Sequence, residues 1–98
     1  MTQAGWRLVA PDGFDELDWF GVESRGLLMG GRLAYGDRTF PVIVYDPYRL
    51  SQDAEAETAD GGIFYEGNVV SVQGLTRESA EAAVTRLGEA GFLDWLLG

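Results

Sequence analysis

Alternation of apolar and polar residues predicts two short strands near the start of the chain. Residues 6–10 read WRLVA and place Trp6, Leu8 and Ala10 on one side, as a half-buried strand does. Pro-Asp-Gly at 11–13 is typical of a turn. Residues 15–18 surround Leu17 with carboxylates, which fits an acidic loop or one turn of helix. Residues 19–23 are apolar enough to predict a second strand.

The clearest pattern is a β-hairpin that joins residues 27–35 to residues 38–45. Gly36-Asp37 suits a two-residue type II′ loop, which requires glycine first. This register places one set of residue pairs on an apolar side of the sheet: Leu33 with Phe40, Gly31 with Val42, and Met29 with Val44. Gly30-Gly31 is a competing bend that would divide the first arm.

A second hairpin is predicted from residues 63–65 and 69–73 around Gly67-Asn68, with Tyr65 opposite Val70. The preceding stretch, residues 48–62, carries no stable periodicity. Its acidic centre could form a helical turn, but a mobile loop is the favoured interpretation.

One amphipathic helix is predicted, over residues 76–90. Thr76 is a suitable N-cap, although Ser at position 79 does not complete the usual capping box. An apolar stripe follows at helical spacing: Ala80, Ala83, Val84, Leu87 and Ala90. Gly91 suits a left-handed residue after the helix, with Phe92 against Leu87 as in a Schellman cap. The apolar tail at 92–97 then either folds over the core or meets another chain.

These elements predict a single α+β domain spanning residues 1–98. We expect about five short antiparallel strands in a meander, with the C-terminal helix packed on one face. The alternative is a small, partly open barrel plugged by that helix. Because the strands precede the helix, βαβ crossovers and a parallel sheet are not expected.

Charge narrows the possible partners. The chain has 16 Asp and Glu against 7 Lys and Arg, a net charge of −9, and a pI near 4.2. All the cations are arginine, and Lys, His and Cys are absent. Such a surface disfavours nucleic acid and anionic membrane, because both require clustered cations. It suits a basic protein surface, or serves solubility alone. No signal peptide or membrane span is recognisable, so a cytoplasmic location is expected.

The residue types also limit the chemistry. Without His or Cys no nucleophilic triad can be built, and the glycine pairs match no phosphate-binding loop. A calcium loop beginning at Asp53 fails, because Thr58 and Phe64 stand where Gly and Glu are needed. No cofactor or metal is therefore predicted. The carboxylates form two clusters along the chain: Asp12, Asp15, Glu16 and Asp18, and then Asp53, Glu55, Glu57 and Asp60. Both clusters lie among turn-forming residues, which favours solvated loops. An enzyme that uses carboxylates and arginine remains a third alternative.

The favoured hypothesis is a non-catalytic acidic protein that binds a basic protein surface, as inhibitors, immunity-type proteins and nucleic-acid mimics do. Carboxylates would steer the encounter and exposed aromatic rings would supply contact energy. The alternative is a structural or assembly protein, joined as a homodimer or a subunit through a sheet edge or the C-terminal tail. The candidate partner-binding residues are Asp15, Glu16, Asp18, Trp19, Tyr45, Tyr48, Asp53, Glu55, Glu57, Asp60 and Trp95.

Overall fold

The computed structural model describes residues 5–65 and 67–98. Within them the chain forms strands, α-helices and a closing 3₁₀ turn. In chain order these are β1 (Trp6–Val9), α1 (Glu16–Arg25), β2 (Leu27–Tyr35), β3 (Arg38–Tyr45), α2 (Pro47–Thr58), β4 (Val69–Ser71), α3 (Arg77–Glu89) and the 3₁₀ turn Asp94–Leu97.

The strands form one open, mixed sheet in the order β1-β2-β3-β4. The pairs β1–β2 and β2–β3 are antiparallel, whereas β4 runs parallel to β3. The α+β class is therefore confirmed. The predicted five-stranded antiparallel meander with one helix is wrong, and so is the barrel, because β1 and β4 remain sheet edges. A parallel pair requires a crossover, and α2 supplies it between β3 and β4.

The predicted central hairpin is confirmed at both ends of both strands. Leu33 pairs with Phe40 and Gly31 with Val42, as expected. Gly36 has a φ of 61°, whereas Asp37 after it does not have a positive φ, which is the pattern of a type II′ turn. The pairing of Met29 with Val44 is wrong: a bulge between Leu28 and Gly31 places Leu28 opposite Val44 and leaves Met29 exposed.

The predicted strand at 19–23 is also wrong, because these residues belong to α1. Asp15 is the N-cap: its side chain accepts the Asp18 backbone N–H at 2.9 Å, while the Asp18 side chain accepts the Asp15 N–H at 3.0 Å. This reciprocal pair satisfies two orphan donors of the first turn with two aspartates. The helix ends at Gly26, whose φ is 69°. Trp19 and Val22 then face the core.

The favoured mobile loop at 48–62 is replaced by α2. Asp46 caps this helix by accepting the Tyr48 N–H at 2.8 Å, and Pro47 occupies its first turn, where a missing N–H costs nothing. The second predicted hairpin does not form. Residues 63–65 have no regular structure. Strand β4 pairs with β3 instead, so the partner of Val70 is Val44 and not the predicted Tyr65.

The prediction for α3 is confirmed at both ends. Thr76 caps it, and the Ser79 hydroxyl accepts the Thr76 N–H at 2.8 Å, so serine completes a capping box that the sequence analysis did not expect. After the helix, the N–H groups of Gly91 and Phe92 donate to the carbonyls of Gly88 and Leu87. These two bonds and the φ of 84° at Gly91 form the predicted Schellman motif.

The core lies on one face of the sheet, covered by α1 and α3. Its fully buried members include Leu28, Val44 and Val84, and α3 packs closely on β1. The tail folds back over this core through Leu93, one of the two outcomes that the sequence left open. On the opposite face lies α2, which buries none of its residues. One face of the sheet thus carries the buried core, and on the other face lies a helix with no buried residue.

Candidate functional site: an acidic and aromatic cleft beside α2

The two carboxylate clusters lie on different helices and on different faces of the sheet. Asp15, Glu16 and Asp18 form the exposed first turn of α1, on the core face. The other cluster lies on or just after α2: Asp53, Glu55, Glu57 and Asp60. The structure therefore does not bring the predicted acidic residues into one site, and each cluster must be considered alone.

The four predicted aromatic anchors divide into two buried and two exposed residues. Trp19 is 7% exposed and packs edge-on against Phe14, with ring centroids 5.3 Å apart. Tyr45 is 5% exposed. Tyr48 and Trp95 are 72% and 71% exposed, respectively. Only the last two have the free surface that the anchor hypothesis requires, whereas Trp19 is a core residue.

Tyr45 contributes differently, by forming part of a cleft between α2 and the segment that follows it. The cleft has a volume of about 440 Å³. It is lined by residues from β3, α2 and the segment at 63–65: Tyr45, Asp53, Ala56, Glu57, Ile63, Phe64 and Tyr65. Three of these residues belong to the predicted set, which makes this cleft the strongest candidate site.

Asp53 accepts hydrogen bonds from residues of two elements at the cleft, β3 and α2. Alternation along β3 directs the Tyr45 side chain away from the core, and its hydroxyl donates to Asp53 Oδ2 at 3.0 Å. Arg49, one helical turn before Asp53, donates from Nε to Oδ1 at 3.0 Å. Arg49 also donates to the carbonyl of Arg25, which ties α2 to the end of α1. The Arg49 hydrogen bond, assisted by that of Tyr45, lowers the pKa of Asp53.

Glu57 differs from Asp53 although it lies one turn further along the same side of α2. It is exposed, and it has no cationic partner among residues 5–65 and 67–98. Its surroundings are negative: residues 46–60 contain five carboxylates (Asp46, Asp53, Glu55, Glu57, Asp60) and one arginine, a net charge of −4. The cleft thus offers one carboxylate that the fold has not already used.

A tight glycine turn leads from α2 to residues 63–65, which form the far wall of the cleft. Gly61 has a φ of 81°, and its N–H donates to the Thr58 carbonyl at 3.1 Å. A side chain at Gly62 would collide with the Glu57 carbonyl oxygen. These two glycines turn the chain back beside α2, where Ile63 and Tyr65 are 84% and 82% exposed. Two large side chains are thus exposed beside the carboxylates of α2.

Residues 63–65 were missed as site residues because their alternation predicted a strand. Phe64 is half-buried, and its neighbours Ile63 and Tyr65 project outward. The available indication was an apolar triplet directly after a Gly-Gly pair and an acidic stretch. That arrangement places large side chains on a turn, next to charge, rather than in a sheet.

A second surface lies beside β4, around the C-terminal tail. Phe92 is 66% exposed and, together with Trp95, lines an apolar groove of about 220 Å³ beside β4. The β4 strand is an edge, so its outer backbone groups are unpaired in the sheet. The described residues that line this surface include no carboxylate, which distinguishes it from the cleft.

Hydrogen bonds lower the pKa of Asp15 and of Asp53, whereas a general acid at neutral pH needs a raised pKa. Within residues 5–65 and 67–98, no three carboxylates lie close enough together to hold a metal ion. None of the helices in the described ranges is long and apolar enough to cross a membrane.

The chain matches no protein-family model, no curated protein and no solved structure.

Proposed function

We propose that this protein is a non-catalytic binding protein that recognises a basic protein surface through α2 and the adjacent cleft. One observation supports the proposal above others. Glu57, which has no cationic partner in the described ranges, and the exposed side chains of Ile63 and Tyr65 line the same concavity. The adjoining residues 46–60 carry a net charge of −4.

The two kinds of side chain would act at different stages of binding. Exposed carboxylates attract a positively charged surface over roughly a Debye length, about 8 Å at physiological salt, and so raise the association rate. Large apolar and aromatic groups supply contact energy once water has been excluded. Tyr48 is exposed on the first turn of α2 but does not line the cleft, so the contact proposed here does not depend on it.

Affinity capture from a cell lysate, followed by titration of the purified partner, tests this function. The bait is the full chain, with Glu57→Arg as the test variant and Glu89→Arg as the control. Glu89 is also an exposed glutamate in the last turn of a helix, but α3 lies on the other face of the sheet. We expect a partner with a basic surface that is held by the wild type and by Glu89→Arg, and released by Glu57→Arg or by about 0.5 M salt. A partner retained equally by all three proteins would refute the proposal.

The second candidate is an assembly role through the C-terminal surface, favoured by the exposed rings of Phe92 and Trp95 beside the β4 edge. Under this alternative the chain forms a dimer that persists in high salt, because apolar contacts are not screened. Light scattering over a range of protein concentrations distinguishes the two. A salt-resistant dimer that dissociates in Trp95→Ser, but not in Tyr48→Ser, supports assembly, and a monomer at all concentrations excludes it.

A further inference from the structure

We propose that the cleft beside α2 accepts one arginine side chain of the basic partner, with Glu57 as its carboxylate acceptor and Tyr65 as a stacking surface. This inference rests on the proposed function and names the group that the site recognises. It commits to arginine rather than to positive charge in general.

The two carboxylates of the cleft are not equivalent. Asp53 is half-buried, and both of its oxygens already accept hydrogen bonds, from Tyr45 and Arg49. The Tyr45 bond joins α2 to β3, and the Arg49 bond lies within α2. Glu57 has no such partner in the described ranges, so both of its oxygens are available to a donor from outside. A planar guanidinium suits a carboxylate with two free oxygens, because it donates two parallel N–H groups.

The far wall of the cleft is aromatic and suits a guanidinium group. Tyr65 is 82% exposed, and it shares the cleft with the half-buried Phe64. A guanidinium is weakly hydrated and planar, so its face can lie on a ring while its edge donates to a carboxylate. An ammonium group holds its water more strongly and has no plane to stack. Negative charge beside an aromatic wall therefore selects arginine over lysine.

The same arrangement occurs within the chain itself, at a different place. Arg77 lies over the ring of Trp19, with its guanidinium carbon 5.9 Å from the ring centroid. It also donates from Nε to a carboxylate oxygen of Glu81 at 3.2 Å. Arg77 thus meets a ring and a carboxylate at once. The cleft offers the ring and the carboxylate, and the described lining of the cleft includes no arginine.

Titration with short peptides tests this inference on the full chain. The probes are an all-lysine peptide, the same peptide with one central arginine, and the same peptide with citrulline, the neutral isostere, at that position. Amide chemical shifts report where each peptide binds. We expect the arginine peptide to bind about fivefold more tightly than the lysine peptide, the factor that corresponds to about 1 kcal/mol of cation–π contact. Its largest shifts should fall at 56–57 and 63–65, and citrulline should abolish the gain.

Variants separate this inference from the proposed function. Tyr65→Ala and Glu57→Gln should each remove the preference for arginine, whereas Glu89→Gln should keep it. Tyr65 and Glu57 are exposed, so neither variant should disturb the fold, and unchanged shifts elsewhere verify this. If lysine and arginine peptides bind equally well at the cleft, the arginine inference is overturned and the proposed function stands. If none of the cationic peptides binds at low salt, both are overturned.

Discussion

Two Gly→Ala substitutions in helices should change stability in opposite directions. Alanine favours a helix over glycine by up to about 1 kcal/mol, and that gain is available at Gly21 in α1 and at Gly88 in α3. Packing distinguishes the two sites. At Gly21 an added Cβ would meet only the mobile end of Arg25, at 2.9 Å. At Gly88 it would lie 2.7 Å from both Cβ and Cδ1 of Trp6.

Trp6 cannot move aside to relieve that contact. It is 6% exposed, and its ring lies 5.1 Å from that of Tyr35 and 5.8 Å from that of Phe40, measured between centroids. Overpacking of such a site costs about 1–3 kcal/mol, which exceeds the helical gain. We therefore expect Gly88→Ala to destabilise the protein by about 1 kcal/mol, and to lower Tm by about 4–8 °C.

The control, Gly21→Ala, should raise stability by about 0.5–1 kcal/mol, because the Arg25 side chain can swing away. Urea denaturation followed by circular dichroism measures both changes on the same scale. If Gly88→Ala is stabilised as much as Gly21→Ala, then α3 does not approach β1 as closely as described, and the account of the core is wrong.

Further predictions concern the helix cap and the titrating carboxylates. Thr76→Ala should cost about 1 kcal/mol of unfolding free energy through loss of the α3 cap, whereas Thr85→Ala, at an exposed position in the same helix, should cost less than about 0.5 kcal/mol, as measured by urea denaturation. Moderate salt should raise Tm, because it screens repulsion within a net charge of −9, and a salt-independent Tm would contradict this. Hydrogen bonds lower the pKa of Asp15 and Asp53 in the folded state, so their contribution to stability is present above the ordinary carboxyl pKa and is lost below it. Tm should therefore hold or rise slightly from pH 7 to about 5 and fall below about 4; a steady fall from pH 7 would indicate other ion pairs.

The central hairpin was predictable because its two strands alternate strongly and Gly36 defines the turn between them. The register was correct from the turn as far as Gly31, and failed beyond it. Gly30 has a φ of 78°, and the bulge there shifts the pairing by one residue. The glycine pair predicts a bend in this strand, but alternation alone does not reveal which strand carries the extra residue.

Two helices were missed for different physical reasons. In α1 the run Trp-Phe-Gly-Val resembles a strand, and its cap uses two aspartates rather than the usual Ser or Thr with Glu. In α2 no residue is buried, so no apolar stripe exists for the pattern to reveal. Its evidence was local: the Asp46 cap, Pro47 in the first turn, and Arg49 placed one turn before Asp53.

The candidate site was predictable only in its acidic half. Charge along residues 53–60 indicated carboxylates for a partner, and the structure places two of them in a cleft. The aromatic half depends on tertiary structure. A parallel β4 after α2 requires the chain to reverse at Gly61-Gly62, and that reversal places Ile63 and Tyr65 beside the helix. A short parallel strand of three residues gives too little alternation to predict this path.

The most direct test of the account compares the removal of one charge at the cleft with its removal elsewhere. Glu57→Gln and Glu89→Gln change the net charge equally, so long-range attraction alone would weaken both variants to the same small extent. Calorimetric titration with the captured basic partner measures each affinity. We predict a loss of about tenfold or more for Glu57→Gln, as expected for a charge-assisted hydrogen bond, and less than about twofold for Glu89→Gln. Equal losses for the two variants would show that the partner senses overall charge and does not occupy the cleft.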